Sequence, residues 1–193
     1  MSAAHARGDQ DALERLRELL RSEGGLMATL VAPARGGAPR TAPGARNGHG
    51  ASPGGVAASG PRAAGQREEY ELLVEAIYEG YLLHYGTPRV VRMPEADLKL
   101  LAGDRLYAIG LARLVELGDT LAVAELADTI TLSALAQGAG QGLLADAIWA
   151  AGARAVGYGC SDAHTRAKEL VLAGAPNAIE AMRTSALGVA APR

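Results

Sequence analysis

The sequence predicts an all-α protein built as a helical bundle. Hydrophobic residues make up 49% of the chain, but aromatic residues only 4%, and there is no phenylalanine. The core must therefore consist mainly of Ala, Leu, Val and Ile, a composition that favours helices over aromatic-rich sheets. Apolar residues also recur every three or four positions, in stretches that Gly and Pro separate. A length of 193 residues allows one domain of ordinary size with appendages.

The first predicted helix covers residues 9–22. Asp9 can cap its first turn, and a Gly-Gly pair at residues 24 and 25 ends it. The apolar stripe of this helix comprises Leu13, Leu16, Leu19 and Leu20. A helix this short is marginal alone in water, so we expect the stripe to dock on the main domain or on a partner chain. Residues 1–31 thus form an N-terminal helix with a short tail.

Residues 32–66 have a different composition, which predicts a flexible linker. They contain nine glycines, five prolines and four arginines but no acidic residue, and Val56 is their only large aliphatic residue. Such a segment cannot bury enough apolar surface to offset the entropy lost on ordering. We therefore expect a disordered spacer of Gly/Ala/Pro type, followed by a folded helical domain over residues 67–193.

Turn-forming and capping residues divide this domain into six predicted helices. The boundary residues are, in chain order, Gly86, Pro94, Gly118, Asp119, Gly138, Gly140, Gly142, Ser161 or Asp162, Gly174 and Pro176. The second of these helices, between Pro94 and Gly118, carries apolar residues on most of its sides, so we expect it to lie at the centre of the bundle. With the N-terminal helix, the chain has seven predicted helical segments.

Charge and hydropathy exclude two classes of partner. The chain has 19 Lys and Arg against 21 Asp and Glu and an isoelectric point near 6.1, so no basic field is available for nucleic acid. The N-terminus has no signal-peptide pattern. The longest uncharged stretch, from Thr129 to Ala145, is too short and too polar to span a bilayer. We therefore expect a cytoplasmic protein with no membrane span.

The cysteine content limits the disulfides and metal sites that the chain can form. Cys160 is the only cysteine, which excludes an intramolecular disulfide and a cysteine-rich zinc site and fits a reducing compartment. Together with Asp162 and His164 it places three metal-ligand side chains within five residues. Soft and hard donors alternating at this spacing match neither a zinc finger nor a common catalytic site. We therefore predict no metal site.

Three short motifs follow one another between residues 71 and 146. They are Leu82-Leu83-His84, the segment Leu101-Ala102-Gly103-Asp104-Arg105-Leu106-Tyr107, and Ala136-Gln137-Gly138. Gly103 precedes Gly138 by 35 residues. In order and spacing the series resembles the central part of the all-helical trans-polyprenyl diphosphate synthases. The resemblance implies a helical bundle similar to part of the isoprenoid synthase fold.

The resemblance also implies which residues would contact a prenyl diphosphate or line its cavity. These residues are His84, Arg89, Arg92, Asp104, Gln137 and Gln141. Structural roles remain open for them. A histidine beside tyrosines is often simply packed, loop arginines are often solvated, and Asp104 could instead pair with Arg105 or Arg113.

Both aspartate-rich motifs of the synthases are missing. His84 is followed by Tyr-Gly-Thr-Pro-Arg, and the only aspartates downstream of Gln141 are Asp146 and Asp162, sixteen positions apart. In the family such carboxylates hold the Mg²⁺ ions that neutralise the departing diphosphate. We therefore predict no catalytic residues and no cofactor of the chain's own. Mg²⁺ would act only if a catalytic partner supplied the carboxylates.

The resulting hypothesis is a non-catalytic or regulatory subunit that acts with a catalytic prenyl synthase in isoprenoid chain elongation. Small subunits poor in aspartate occur in heteromeric members of the family. In that role Leu98, Leu101, Tyr107 and Leu111 would form an apolar cleft or interface, unless they are simply core residues. The implied partner is a synthase subunit or a second copy of the chain.

Three alternatives stay open at this point. The first is a prenyltransferase-like activity that uses His84, Arg89 and Arg92. The second is a dinucleotide-binding oxidoreductase fragment, with strands over residues 129–137 and 153–157 around a Gly-Ala-Gly turn. The third is a helical scaffold or homodimer without a ligand.

Overall fold

The computed structural model describes residues 2–33, 51–92 and 95–188. Within these ranges the regular structure is helical, apart from an isolated antiparallel bridge between Val31 and Val91, so the all-α prediction is confirmed. The helices are α1 (Ser2–Glu23), α2 (Gly25–Leu30), α3 (Pro53–Ser59), α4 (Arg67–Tyr85), α5 (Ala96–Glu116), α6 (Thr120–Gly138), α7 (Gly142–Tyr158), α8 (Asp162–Leu172) and α9 (Ala178–Leu187), with a 3₁₀ turn over Pro61–Ala63. None of these helices has both the length and the apolar character needed to cross a membrane.

Several helix boundaries follow the capping residues, although α1 begins at Ser2 and not at the predicted cap Asp9. The Asp119 carboxylate accepts a hydrogen bond of 3.0 Å from the backbone N–H of Ala122, which makes it the N-cap of α6 as predicted. Ser161 caps α8 in the same way, through the N–H of His164 at 3.2 Å. Gly140, at φ +71°, occupies the turn between α6 and α7, where only glycine is unstrained. Local chain chemistry therefore determines where these helices begin and end.

The leucine stripe of α1 docks on the chain itself. Leu16 and Leu20 are completely buried, in a cluster that includes Leu83 of α4 and Leu106 of α5. Arg15 strengthens the contact through an ion pair of 2.7 Å with Glu71 on α4. This stripe is therefore used internally and is not free to bind a partner.

Part of the predicted linker is folded, contrary to expectation. Residues 34–50 lie outside the described residues, but α3 and the following turn pack against α4 and α7, with Ala57 and Ala63 fully buried. A side chain at Gly60 would overlap with the backbone of Gly157 on α7. The segment is ordered because Gly and Ala let two backbones approach closely and pack against each other. The prediction counted only large aliphatic residues and therefore missed this packing.

The central helices are α4 and α7, and α5 lies at the edge of the bundle. Leu100, Leu101 and Val115 of α5 are exposed by 47%, 61% and 55%, whereas α4 packs against α1, α3 and α5. The expectation of a central second helix was wrong for a physical reason. An apolar residue on every side of a helix is compatible with burial, but it does not force neighbours onto every side.

Candidate functional site

Two of the predicted site residues meet between α4 and α5. Nε2 of His84 lies 3.1 Å from Oδ1 of Asp104, and the His84 ring stacks on Tyr107 with 5.4 Å between ring centroids. A side chain at Gly103 would overlap with the His84 ring, so the glycine makes room for the histidine. Asp104 does not pair with Arg105, which binds Glu23 instead. The Leu-Leu-His and Gly-Asp motifs are therefore in direct contact.

An aromatic cluster links Gln137 to this pair. The cluster comprises Tyr78, Tyr81, Tyr85, Tyr107 and Trp149, together with the His84 ring. The side-chain amide of Gln137 donates a hydrogen bond of 2.6 Å to the Tyr81 hydroxyl. The Tyr85 ring lies between Tyr81 and His84, with centroid distances of 5.5 and 5.8 Å. Thus three predicted residues, from α4, α5 and α6, belong to one region.

Three hydroxyl groups of this cluster, those of Tyr78, Tyr81 and Tyr107, have a raised pKa and stay neutral. Burial raises the pKa of Tyr78 to about 12, although the nearby Arg89 opposes this shift. Burial also raises the pKa of Tyr81 and of Tyr107. Desolvation raises the pKa of the neighbouring Asp146 carboxyl as well. The hydroxyls of Tyr78, Tyr81 and Tyr107 can therefore donate and accept hydrogen bonds, but these three tyrosines are too weakly acidic to act as bases near neutral pH.

Arg89, a predicted ligand contact, is held by two buried carboxylates. Glu75 and Glu79 lie one turn apart on α4, with 1% and 0% of their side chains exposed. The guanidinium of Arg89 reaches Glu75 at 2.7 Å and Glu79 at 3.1 Å. Glu79 also accepts hydrogen bonds from the backbone N–H groups of Arg89, Val90 and Val91. This arrangement, which we call the Arg89 network, fixes the loop after α4 to the helix.

The other two predicted contacts lie away from the His84–Asp104 pair. Arg92 is exposed, and its backbone N–H bonds to the Leu30 carbonyl at 2.7 Å beside the Val31–Val91 bridge. Gln141 lines a groove of about 340 Å³ between the start of α7 and the α8–α9 loop. An activity that relies jointly on His84, Arg89 and Arg92 therefore has no geometric support.

Cations or hydrogen-bond donors of the chain itself already engage the less exposed carboxylates. The Arg89 network takes up two, and Asp119 is bound by Arg62 at 2.6 Å and by the Tyr70 hydroxyl. Lys168 bridges Glu125 and Asp128 at 2.9 and 2.8 Å. Within the described ranges, the one close trio of metal-ligating side chains contains a single carboxylate. The fold does not gather distant aspartates into a substitute for the missing motifs in this part of the chain.

The structure also forms an apolar groove that the sequence did not predict. We call it the α2–α5 groove; its volume is about 280 Å³ and its lining is Glu23, Gly24, Leu26, Met27, Leu101, Ala102 and Arg105. Leu26 and Leu101 are 52% and 61% exposed, and a Glu23–Arg105 ion pair of 2.8 Å lies beside them. Leu101 was predicted at an interface, whereas Tyr107 and Leu111 pack against the core. No signal pointed to the groove because α2 itself was not predicted.

Comparison of the chain with protein-family models, curated proteins and solved structures found no match. The resemblance to polyprenyl synthases therefore rests on the three motifs alone. The dinucleotide-binding alternative requires strands over residues 129–137 and 153–157. Those residues lie within α6 and α7, so the sheet of such a fold is missing from this part of the protein.

Proposed function

We propose that the protein is a non-catalytic helical subunit that binds a catalytic polyprenyl diphosphate synthase and modulates its chain elongation. The observation that carries the proposal is the engagement of the less exposed acids, led by Glu75 and Glu79, with partners inside the chain. Departure of a diphosphate requires metal ions to neutralise its charge, and those ions require free oxygen ligands. The order and spacing of the three motifs are what favour a partner from the synthase family.

The α2–α5 groove is the docking surface in this proposal. Leu26 and Leu101 expose more than half of their area, and burial of such side chains on a partner contributes roughly 1 kcal/mol each. The Glu23–Arg105 pair beside them supplies polar contacts at the rim, the usual anatomy of a specific interface. An amphipathic helix of the synthase fits this geometry best, because a groove between two helices can bind the apolar face of a third helix.

The test is recovery of the partner from the native cell with an affinity-tagged chain. We expect a prenyl synthase to co-purify with the wild type and with Leu172→Asp, and to be lost with Leu101→Asp. Leu172 is the matched control, since it is 66% exposed but lies on α8, away from the α2–α5 groove. The purified chain with an allylic diphosphate, isopentenyl diphosphate and Mg²⁺ should form no product, whereas the recovered complex should.

Two results would overturn the proposal. Product formation by the chain alone would make it an enzyme. Recovery of the chain alone under conditions that preserve other complexes would leave the scaffold or homodimer alternative, in which Leu101→Asp has no partner to lose.

A further inference from the structure

A second polar site joins α6, α8 and α9, and it includes Cys160 and His164 of the Cys-x-Asp-x-His pattern in which the sequence predicted no metal site. It contains Glu125 of α6, His164 of α8, and Cys160 in the loop that precedes α8. One ligand atom from each residue lies within 4.8 Å of the other two; the histidine and the glutamate are buried and the thiol is exposed. We propose that these three residues bind a divalent cation of the zinc class. This inference is independent of the proposed function.

The donor set selects the class of metal. A thiolate, an imidazole and a carboxylate suit Zn²⁺ or Co²⁺, whereas Mg²⁺ and Ca²⁺ take oxygen ligands almost exclusively. Ligand atoms about 2.0–2.3 Å from a tetrahedral zinc lie roughly 3–4 Å from one another. The three ligand atoms lie within 4.8 Å of one another, so a bound ion would draw them together by about 1 Å. Three protein ligands leave a fourth position of the tetrahedron for water or another ligand.

The imidazole is already oriented for this role. Nε2 of His164 lies 2.6 Å from a Glu125 oxygen, and Nδ1 lies 2.8 Å from the Ser185 hydroxyl on α9. The cation would bind Nε2 between His164 and Glu125 and release any proton held there. The neutral imidazole would then carry its one proton on Nδ1 and donate a hydrogen bond to the Ser185 hydroxyl. A metal-bound histidine typically makes such a hydrogen bond with its second nitrogen.

The charges around the site balance a divalent cation. Lys168 holds the second oxygen of Glu125 at 2.9 Å and the Asp128 carboxylate at 2.8 Å. The net charge of the site is −2 when Cys160 is a thiolate, because the carboxylates of Glu125 and Asp128 and the thiolate outweigh the one positive charge of Lys168. A divalent ion neutralises this charge. Ser161, the N-cap of α8, also fixes the backbone between the cysteine and the histidine, so two ligands are held before the metal arrives.

Asp162, the acid in the chain-local Cys-x-Asp-x-His pattern, is not part of the trio. The fold replaces it with Glu125, which is 35 residues away from Cys160 in the sequence. This difference provides a matched pair of variants. Cys160→Ser removes a ligand at an exposed position, where folding should not suffer, and Asp162→Asn changes a neighbouring exposed acid that the proposal leaves without a role.

The experiment uses the untagged full chain with Zn²⁺ and with Co²⁺ as a spectroscopic probe. We expect one ion per chain and a thiolate-to-cobalt charge-transfer band in the near ultraviolet. Zn²⁺ should also slow alkylation of the single thiol at least about tenfold. Cys160→Ser should lose the band and weaken Zn²⁺ binding at least about tenfold, a loss comparable to that from altering groups around known metal sites. Asp162→Asn should bind like the wild type.

Three outcomes would overturn the inference. They are no stoichiometric binding by the wild type, Zn²⁺ affinity unchanged in Cys160→Ser, and an equal loss of affinity in Asp162→Asn. A Glu125→Gln variant, checked for folding by circular dichroism, completes the test. If it folds and still binds Zn²⁺ as tightly as the wild type, Glu125 is not a ligand.

Discussion

Replacing Glu79 by alanine should cause one of the largest losses of stability that a single substitution can produce in this protein. Its carboxylate is fully buried and accepts from the backbone N–H groups of Arg89 at 2.7 Å, Val90 at 2.6 Å and Val91 at 3.2 Å. It also pairs with the Arg89 guanidinium at 3.1 Å. The substitution leaves the three backbone N–H groups without their acceptor, whereas the Arg89 guanidinium keeps its ion pair with Glu75.

The magnitude follows from the cost of leaving buried donors without an acceptor. Each such donor costs about 1–3 kcal/mol, so losing the three backbone hydrogen bonds should cost about 3–5 kcal/mol, while Glu75 still neutralises Arg89. Water reaches part of Arg89, whose side chain is 27% exposed, so the total should not exceed this range. For a protein of this size, the melting temperature should fall by about 6–20 °C. Glu79→Gln keeps one amide oxygen as an acceptor and should lose less.

The assay is urea unfolding followed by far-ultraviolet circular dichroism, with hydrogen exchange at Val90 and Val91. The matched control is Glu68→Gln on the same helix, since that side chain is 86% exposed and pairs with Arg15 at the surface. It should change the free energy of unfolding by about 0.5 kcal/mol or less. If Glu79→Ala unfolds within about 1 kcal/mol of the wild type at an unchanged m-value, the Arg89 network does not hold the loop as argued.

Three further predictions concern other parts of the fold. Burial alone would raise the pKa of Asp119, but hydrogen bonds from Tyr70, the Ala122 N–H and Arg62 lower it below the ordinary 3.8. The contribution of Asp119 to stability is therefore complete above about pH 4 and is lost as the pH falls further, so the urea midpoint of the wild type should drop on acidification more than that of Asp119→Ala. At neutral pH, Asp119→Ala should be less stable than the wild type by about 2 kcal/mol. Gly157→Ala forces a methyl group against the Ala57 backbone, so it should lower the free energy of unfolding by about 3 kcal/mol and speed proteolysis within residues 51–63. Unchanged protease resistance would argue against docking of α3 on α7. Leu101→Asp, at a position 61% exposed, should change stability by about 0.5 kcal/mol or less in thermal unfolding, and a larger loss would mean that Leu101 is a core residue.

Most of the helical architecture could be predicted because it depends on local chemistry. Asp119 and Ser161 cap their helices through side chains that bond to N–H groups three residues further on, an interaction within reach of the chain itself. The leucine stripe of α1 is likewise visible as a spacing. The contact between His84 and Asp104 was not predicted, because Arg105 and Arg113 were the partners expected for Asp104. The structure shows that Gly103 leaves space for the histidine ring.

Two predictions from the sequence were wrong because both depended on how helices pack against one another. Residues 53–63 were predicted to be unstructured because they contain almost no large side chains, yet Gly60 and Gly157 let α3 and α7 approach until their backbones touch. The predicted central helix lies at the edge for a related reason. Whether an apolar side is covered depends on which helices pack there, and the pattern of one helix contains no information about its neighbours.

The amino-acid sequence by itself determined the helical class, the positions of most helix ends and the lack of aspartate-rich motifs, since each of these depends on residues that lie close together along the chain. Only the tertiary structure decided that Arg89 is enclosed by Glu75 and Glu79, and that Glu125 takes the place beside Cys160 and His164 that Asp162 holds in the sequence. Burial and pairing are properties of distances in space. Helix packing sets those distances by bringing together side chains from different turns and different helices.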